Sequence, residues 1–102
     1  MLEQLTCSVF SECLGTKFRI HPESGHALEV ELIQALPLPS QSARGQQQGK
    51  REPFCLVFRG PEECLLPQKI YKMEHAKLGT LELFLVPIGP DQEGQRFEAI
   101  FN

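Results

Sequence analysis

His21 and His26 bracket a four-residue stretch, Pro22-Glu23-Ser24-Gly25, that places Glu23 between them. Two imidazoles and a carboxylate are a donor set for a divalent metal such as zinc. That chemistry requires all three side chains on one face of a turn, whereas solvated turn histidines require nothing. Metal binding by His21, His26 and Glu23 is therefore the weaker expectation, and no cofactor is expected.

Other reactive groups are sparse. A hydrolase needs a nucleophile, a base and an orienting acid within hydrogen-bond reach. The one aspartate, Asp91, follows a proline in a turn, where such a carboxylate folds its own backbone. No serine sits in a G-x-S-x-G elbow. Gly45-Gln46-Gln47-Gln48-Gly49 neither follows a strand nor opens a helix, as a phosphate loop would. The expectation is a protein without enzymatic activity.

Cys7, Cys13, Cys55 and Cys64 form no C-x-x-C pair. On a helix Cys7 and Cys13 would point roughly 120° apart, too far to share a metal. A redox response through Cys55 and Cys64 is a further reading. Arg59, next to Gly60-Pro61, is a candidate anchor for a partner, or an ion-pair partner of Glu62, Glu63 or Glu98. Tyr71 is a second interaction candidate, although it and the phenylalanines read more readily as core, because no basic residues interleave with them at base-stacking spacing.

These groups need a scaffold, and the hydrophobic pattern supplies one. The chain has 102 residues, 41% of them hydrophobic and 23% charged, with a net charge of −3. That composition suits one globular domain over residues 1–102 and excludes a fibrous or wholly disordered chain. Nucleic acid is not expected as a partner, since no basic cluster is present to neutralise phosphates. No apolar run approaches the roughly 18 residues of a membrane helix, so no membrane partner is expected either. Met1-Leu2-Glu3-Gln4-Leu5-Thr6 carries an acid where an export leader carries positive charge, which predicts a cytoplasmic, reducing setting.

Leu2, Leu5, Val9, Phe10, Cys13 and Leu14 recur at gaps of three and four, predicting an amphipathic helix over about 2–14 that closes at Gly15, or a shorter version capped by Thr6 or Ser8. From Thr16 the period changes to two. Strands are predicted at 17–20, 28–32, 54–58, 68–75, 80–86 and 95–101, with the Gln-rich stretch of about 37–53 as a flexible loop. Short links force antiparallel pairing. The expectation is mainly β, a six-stranded antiparallel barrel or sandwich with one short N-terminal helix. Strands 54–58 and 81–86 are apolar on both faces, and the helix is the one amphipathic element available to cover the second face.

Several segments carry a resemblance: Leu56-Val57-Phe58-Arg59-Gly60-Pro61, Leu65-Leu66-Pro67-Gln68, Leu83-Phe84-Leu85-Val86-Pro87-Ile88-Gly89-Pro90, and Glu98-Ala99 with Phe101-Asn102. In these the chain resembles a family of short uncharacterised bacterial proteins described as a domain of unknown function. The family's glycine after the Leu-Pro-Gln segment is replaced by Lys69. The resemblance implies a small barrel-like β fold, association of some members with phage-tail-like or tail-fibre proteins, and no catalytic residues. The function expected is thus a structural or interaction module with a protein partner, with self-association through a free sheet edge as a further possibility. The alternative is a small-ligand or metal-binding β-barrel. Against an interior ligand, the inward set read from alternation contains no polar side chain, and six strands enclose little space.

Overall fold

Alternation from Lys17 onward produces the expected strands, and they close on themselves. The computed structural model describes residues 6–21, 26–38, 53–62 and 66–101. Its elements are α1 (Cys7–Ser11), β1 (Lys17–His21), β2 (Leu28–Pro37), β3 (Phe54–Gly60), β4 (Lys69–His75), β5 (Gly79–Asp91) and β6 (Gly94–Phe101). The strands form a closed barrel in the order β1-β2-β3-β6-β5-β4, antiparallel at every step. Two three-stranded meanders, β1-β2-β3 and β4-β5-β6, are joined at β1–β4 and at β3–β6. Each carries one register shift between its second and third strands, at Leu32/Gln34 and at Pro87/Gly89.

Side chains fill the interior. Phe18, Ile20, Leu32, Leu56, Phe58, Met73 and Leu85 have no exposed surface, and Phe18 meets Phe58 edge to face at 5.1 Å. A six-stranded barrel is narrower than the eight-stranded kind whose interior is just wide enough for its own side chains. These residues therefore occupy the space a ligand would need.

The helix is shorter than the pattern suggests. It runs over Cys7–Ser11, with the Thr6 hydroxyl accepting from Val9 N at 3.3 Å as its N-cap; residues 1–5 lie outside the described residues. After Ser11 the bonds tighten to a three-residue step, Cys13 N to Phe10 O at 2.8 Å and Leu14 N to Ser11 O at 3.3 Å. Gly15 then takes φ 83° and donates to Leu32 O at 2.8 Å, so pairing with β2 ends the helix. Its position also differs from expectation. Phe10, fully buried, sits 5.9 Å from the Phe54 ring and 5.5 Å from the Phe101 ring, at the end of the barrel where β3 starts and β6 finishes. The helix packs on β2 and β3 and, among the described residues, does not reach β5. It plugs an end of the barrel, and no described element covers the second apolar face of β5.

Two strands overrun their predicted ends. β2 continues to Pro37, which pairs with Phe54, and Leu38 N donates to Pro53 O at 3.0 Å. The expected loop therefore begins after Leu38, and residues 39–52 lie outside the described residues. β5 continues through Pro87 and Pro90. From Val86 onward it pairs with β6 alone, and Ile88 is the extra residue at the register shift. Proline is tolerated at such one-sided or bulged positions because the missing N–H has no ladder partner to lose.

Closure gives every strand two neighbours, yet one-sided stretches remain: β5 pairs with β4 alone through Leu85 and with β6 alone from Val86, and residues 99–101 of β6 pair with β3 alone. Phe10→Ala should cost about 3 kcal/mol, the usual range for emptying a buried aromatic site, read from the urea unfolding midpoint. A loss below about 1 kcal/mol would mean that the helix does not seal the barrel.

Candidate functional site

His21 ends β1 and pairs in register with Lys72 of β4. Its Nε2 lies 3.2 Å from Glu74 Oε1, within ion-pair range but outside hydrogen-bond geometry. His26 is exposed ahead of β2, and no contact joins it to His21 among the described residues. Glu23 lies outside the described residues. Among those described, no three His, Cys, Asp or Glu side chains converge as a metal set.

Arg59 is held within the fold by partners other than Glu62 and Glu98; Glu63, the third expected partner, lies outside the described residues. Its Nε lies 3.2 and 3.1 Å from the two Asp91 carboxylate oxygens, and Nη2 donates to Oδ2 at 2.7 Å. Nη1 is 3.3 Å from Glu93 Oε1. Asp91 Oδ1 also accepts from Glu93 N at 2.8 Å and Gly94 N at 3.1 Å, which closes the β5–β6 hairpin. One carboxylate thus folds its own turn and ties that turn to the end of β3. The Arg59 guanidinium and the turn amides hold the Asp91 carboxyl down at about 2. Gly94 belongs to the same corner; a Cβ there would strike the Gly60 carbonyl oxygen, so the two chains pass closely only because it is glycine.

His75, at the end of β4, is buried and has a role that periodicity does not reveal. Lys77 N and Leu78 N donate to its Nδ1 at 3.0 and 3.2 Å, capping the β4–β5 turn. With Nδ1 an acceptor, the ring proton sits on Nε2, which donates to Thr16 Oγ1 at 2.8 Å; the Thr16 hydroxyl in turn donates to Cys13 O at 2.6 Å. The ring lies 4.3 Å from that of Phe18. Burial, then the Lys77 charge, push the His75 pKa below its ordinary value. A proton on Nδ1 would also oppose two N–H donors.

Tyr71 faces the interior at 3% exposure and donates its hydroxyl to Pro67 O at 2.6 Å. Cys13 and Cys55 are buried free thiols, and burial pushes both up, away from the reactive thiolate. Cys64 lies outside the described residues, so its pairing with Cys55 has no structural counterpart here.

The outer surface divides in two. Over β1–β3 lies an open depression of about 790 Å³ whose lining includes Lys17, Arg19 and Arg59 opposite Glu29, Glu31 and Glu93. Cations and carboxylates balance there, so neither charge sign would be selected. A smaller one, about 400 Å³, shares Lys17, Arg19 and Glu29 with it. An apolar row crosses the outer surface of β2, β3, β6, β5 and β4, beside the charged Lys72–Glu82 pair. Ile70 pairs with Phe84 across β4–β5, Cys55 pairs with both Ile100 and Leu36, and Val57 and Val86 each pair with Glu98. Ile70, Phe84, Ile100 and Leu36 are 62%, 48%, 52% and 48% exposed. Phe84 and Ile100 each stand two residues along their strands from the Val86–Glu98 pair, where the β5–β6 ladder ends. The signal was present in the sequence as the doubly apolar strands; what was missing was that nothing described covers β5.

Two pH dependences follow. His75 is more basic unfolded than folded, so protonation favours the unfolded chain. Its contribution is complete above about pH 6.5 and falls away below it, in the direction of its depressed folded value. Subtracting the unfolding midpoints of His75→Gln from those of the wild type between pH 7.5 and 5 should reveal that slope; parallel curves would refute the neutral, buried imidazole. Asp91 behaves as a depressed acid. Its stabilisation is present above about pH 4 and lost as pH falls toward 2, and Asp91→Asn should flatten that part of the profile in an acid unfolding series.

No curated protein and no solved structure matches the chain. A family model does, over residues 5–101, a span that takes in the plugging helix and all six strands. The chain belongs to DUF6916, a domain of unknown function.

Proposed function

We propose that this protein is a non-enzymatic interaction module that binds a protein partner through the outside of its barrel. The observation carrying this reading is the exposed apolar row Ile70, Phe84, Ile100 and Leu36 on a barrel whose interior is already occupied. Outward positions of a sheet in water favour polar residues, and a contiguous apolar patch marks an interaction surface. Three of the titratable groups described above are engaged in structural bonds: Arg59 and Asp91 lock a corner, and His75 caps a turn. An interior small ligand would have to displace the core, and a metal would need donors beyond His21 and Glu74.

The proposed setting is bacterial and phage-tail-like or tail-fibre-associated, supported by the sequence resemblance of the Leu-Val-Phe-Arg-Gly-Pro and Leu-Phe-Leu-Val-Pro-Ile-Gly-Pro segments. The test is affinity capture from the native cell with wild-type and Phe84→Ser/Ile100→Ser baits. A defined protein should co-purify with the wild type and be lost with the double variant, while both baits unfold at similar denaturant concentrations. Identical co-purifying proteins from both baits would sink the reading.

A further inference from the structure

The apolar face has one charged residue at its middle. Glu98 is half-buried and outward on β6, paired with Val57 on one side and Val86 on the other, two residues from Ile100. Its one hydrogen bond among the described residues comes from the Cys55 thiol, at 3.7 Å, a long contact with a weak donor. Among the described residues, the neighbouring cations are directed elsewhere. Arg96, two residues along the same face, directs its Nε to Gly89 O at 3.3 Å. Arg59 is held by Asp91 and Glu93, and Lys72 stands opposite Glu82. Water now solvates the exposed part of this carboxylate. A partner covering the surrounding apolar residues would remove that water and leave an uncompensated charge, at a penalty of several kcal/mol per ion.

We propose that this face receives a short partner segment in which a lysine or arginine is flanked by apolar side chains, the cation pairing with Glu98 while the flanking side chains cover Phe84 and Ile100. This rests on the reading of the protein as a surface-acting module and names what that surface selects. Size supports a segment over a folded domain. Four half-exposed side chains present on the order of 300 Å² of apolar surface, against about 800 Å² per partner in a standard interface. A second copy fits poorly. The face is on the convex outside of a closed barrel, and a two-fold contact would bring the two Glu98 carboxylates into one buried patch. At Glu98 strand addition is excluded, because β6 is paired there on both sides, with Val57 and with Val86, so recognition of this carboxylate runs through side chains.

The experiment selects binders of the purified full chain from a displayed library of random short peptides. Selected peptides are then resynthesised with the basic residue replaced by norleucine. Peptides with Lys or Arg between apolar residues should be enriched, and the norleucine forms should bind about tenfold more weakly. Glu98→Gln should abolish that difference, and Phe84→Ser or Ile100→Ser should abolish binding of both forms. Circular dichroism and urea midpoints confirm that each variant folds. Binders that depend on Phe84 but show no basic preference, or a preference that survives Glu98→Gln, overturn the cationic assignment and leave the interaction module standing. No Phe84-dependent peptide, together with no difference between the capture baits, overturns both. A concentration-dependent dimer in sedimentation velocity that is lost in Phe84→Ser assigns the face to a second copy and also overturns the proposal.

Discussion

Closure of the sheet rests on three residue pairs, Arg19–Glu74, Ile20–Met73 and His21–Lys72, which join β1 to β4. The opposite seam, β3 to β6, has seven. Without the short seam the sheet would be open, with two unsatisfied edges and a split interior. Side chains reinforce it on both faces. Ile20 and Met73 are fully buried inside, and His21 meets Glu74 outside. Just past the last pair, where Phe18 and His75 would come next in register, the ladder gives way to side chains. The rings meet at 4.3 Å and His75 bonds Thr16. The imidazole therefore extends the seam at the point where backbone pairing stops, which explains why a polar group is kept buried there and why it must remain neutral.

Much of the architecture was legible because period-two alternation is a local property. Phe18 and Ile20, Leu56 and Phe58, and Phe97 and Ala99 announce their inward faces irrespective of their neighbours. Turn chemistry placed Asp91 correctly as a backbone-folding residue. Element ends were less legible, because they depend on who pairs with whom. Pro87 reads as a stop, yet β5 passes through it on account of a bulge that only register with β6 defines. The apolar stripe reads back to Leu2, yet the helix is capped at Thr6 and tightens after Ser11, before Gly15 pairs with Leu32, seventeen positions along the chain.

The site-level reading failed where partners are distant in sequence. Arg59 has three glutamates within its sequence neighbourhood or strand pairing, but the antiparallel return of β5 and β6 brings Asp91, 32 residues away, into bidentate range. A short, forked hydrogen-bonding geometry then prevails over mere proximity of charge. Tyr71 and His75 sit on the inward face of β4, Tyr71 in the core as its pattern suggests, and their polar atoms bond to Pro67, Lys77, Leu78 and Thr16. Alternation reports direction and not partners, so these bonds are not legible from it.

An outward apolar row has a purely structural explanation that must be weighed. Cross-strand pairs such as Ile70–Phe84 stabilise a sheet by roughly 0.2–1 kcal/mol. The adjoining Lys72–Glu82 pair occupies an equivalent outward position on the same two strands with opposite charges, which contribute in the same range and keep the surface wetted. Stability by itself therefore gives no reason to prefer phenylalanine and isoleucine over a charged pair one step further along. Nor does it explain a glutamate set between Val57 and Val86, where a threonine or valine would pair as well. Under the proposed function, an apolar row with an isolated carboxylate at its centre is the composition that a partner seated on this surface would select.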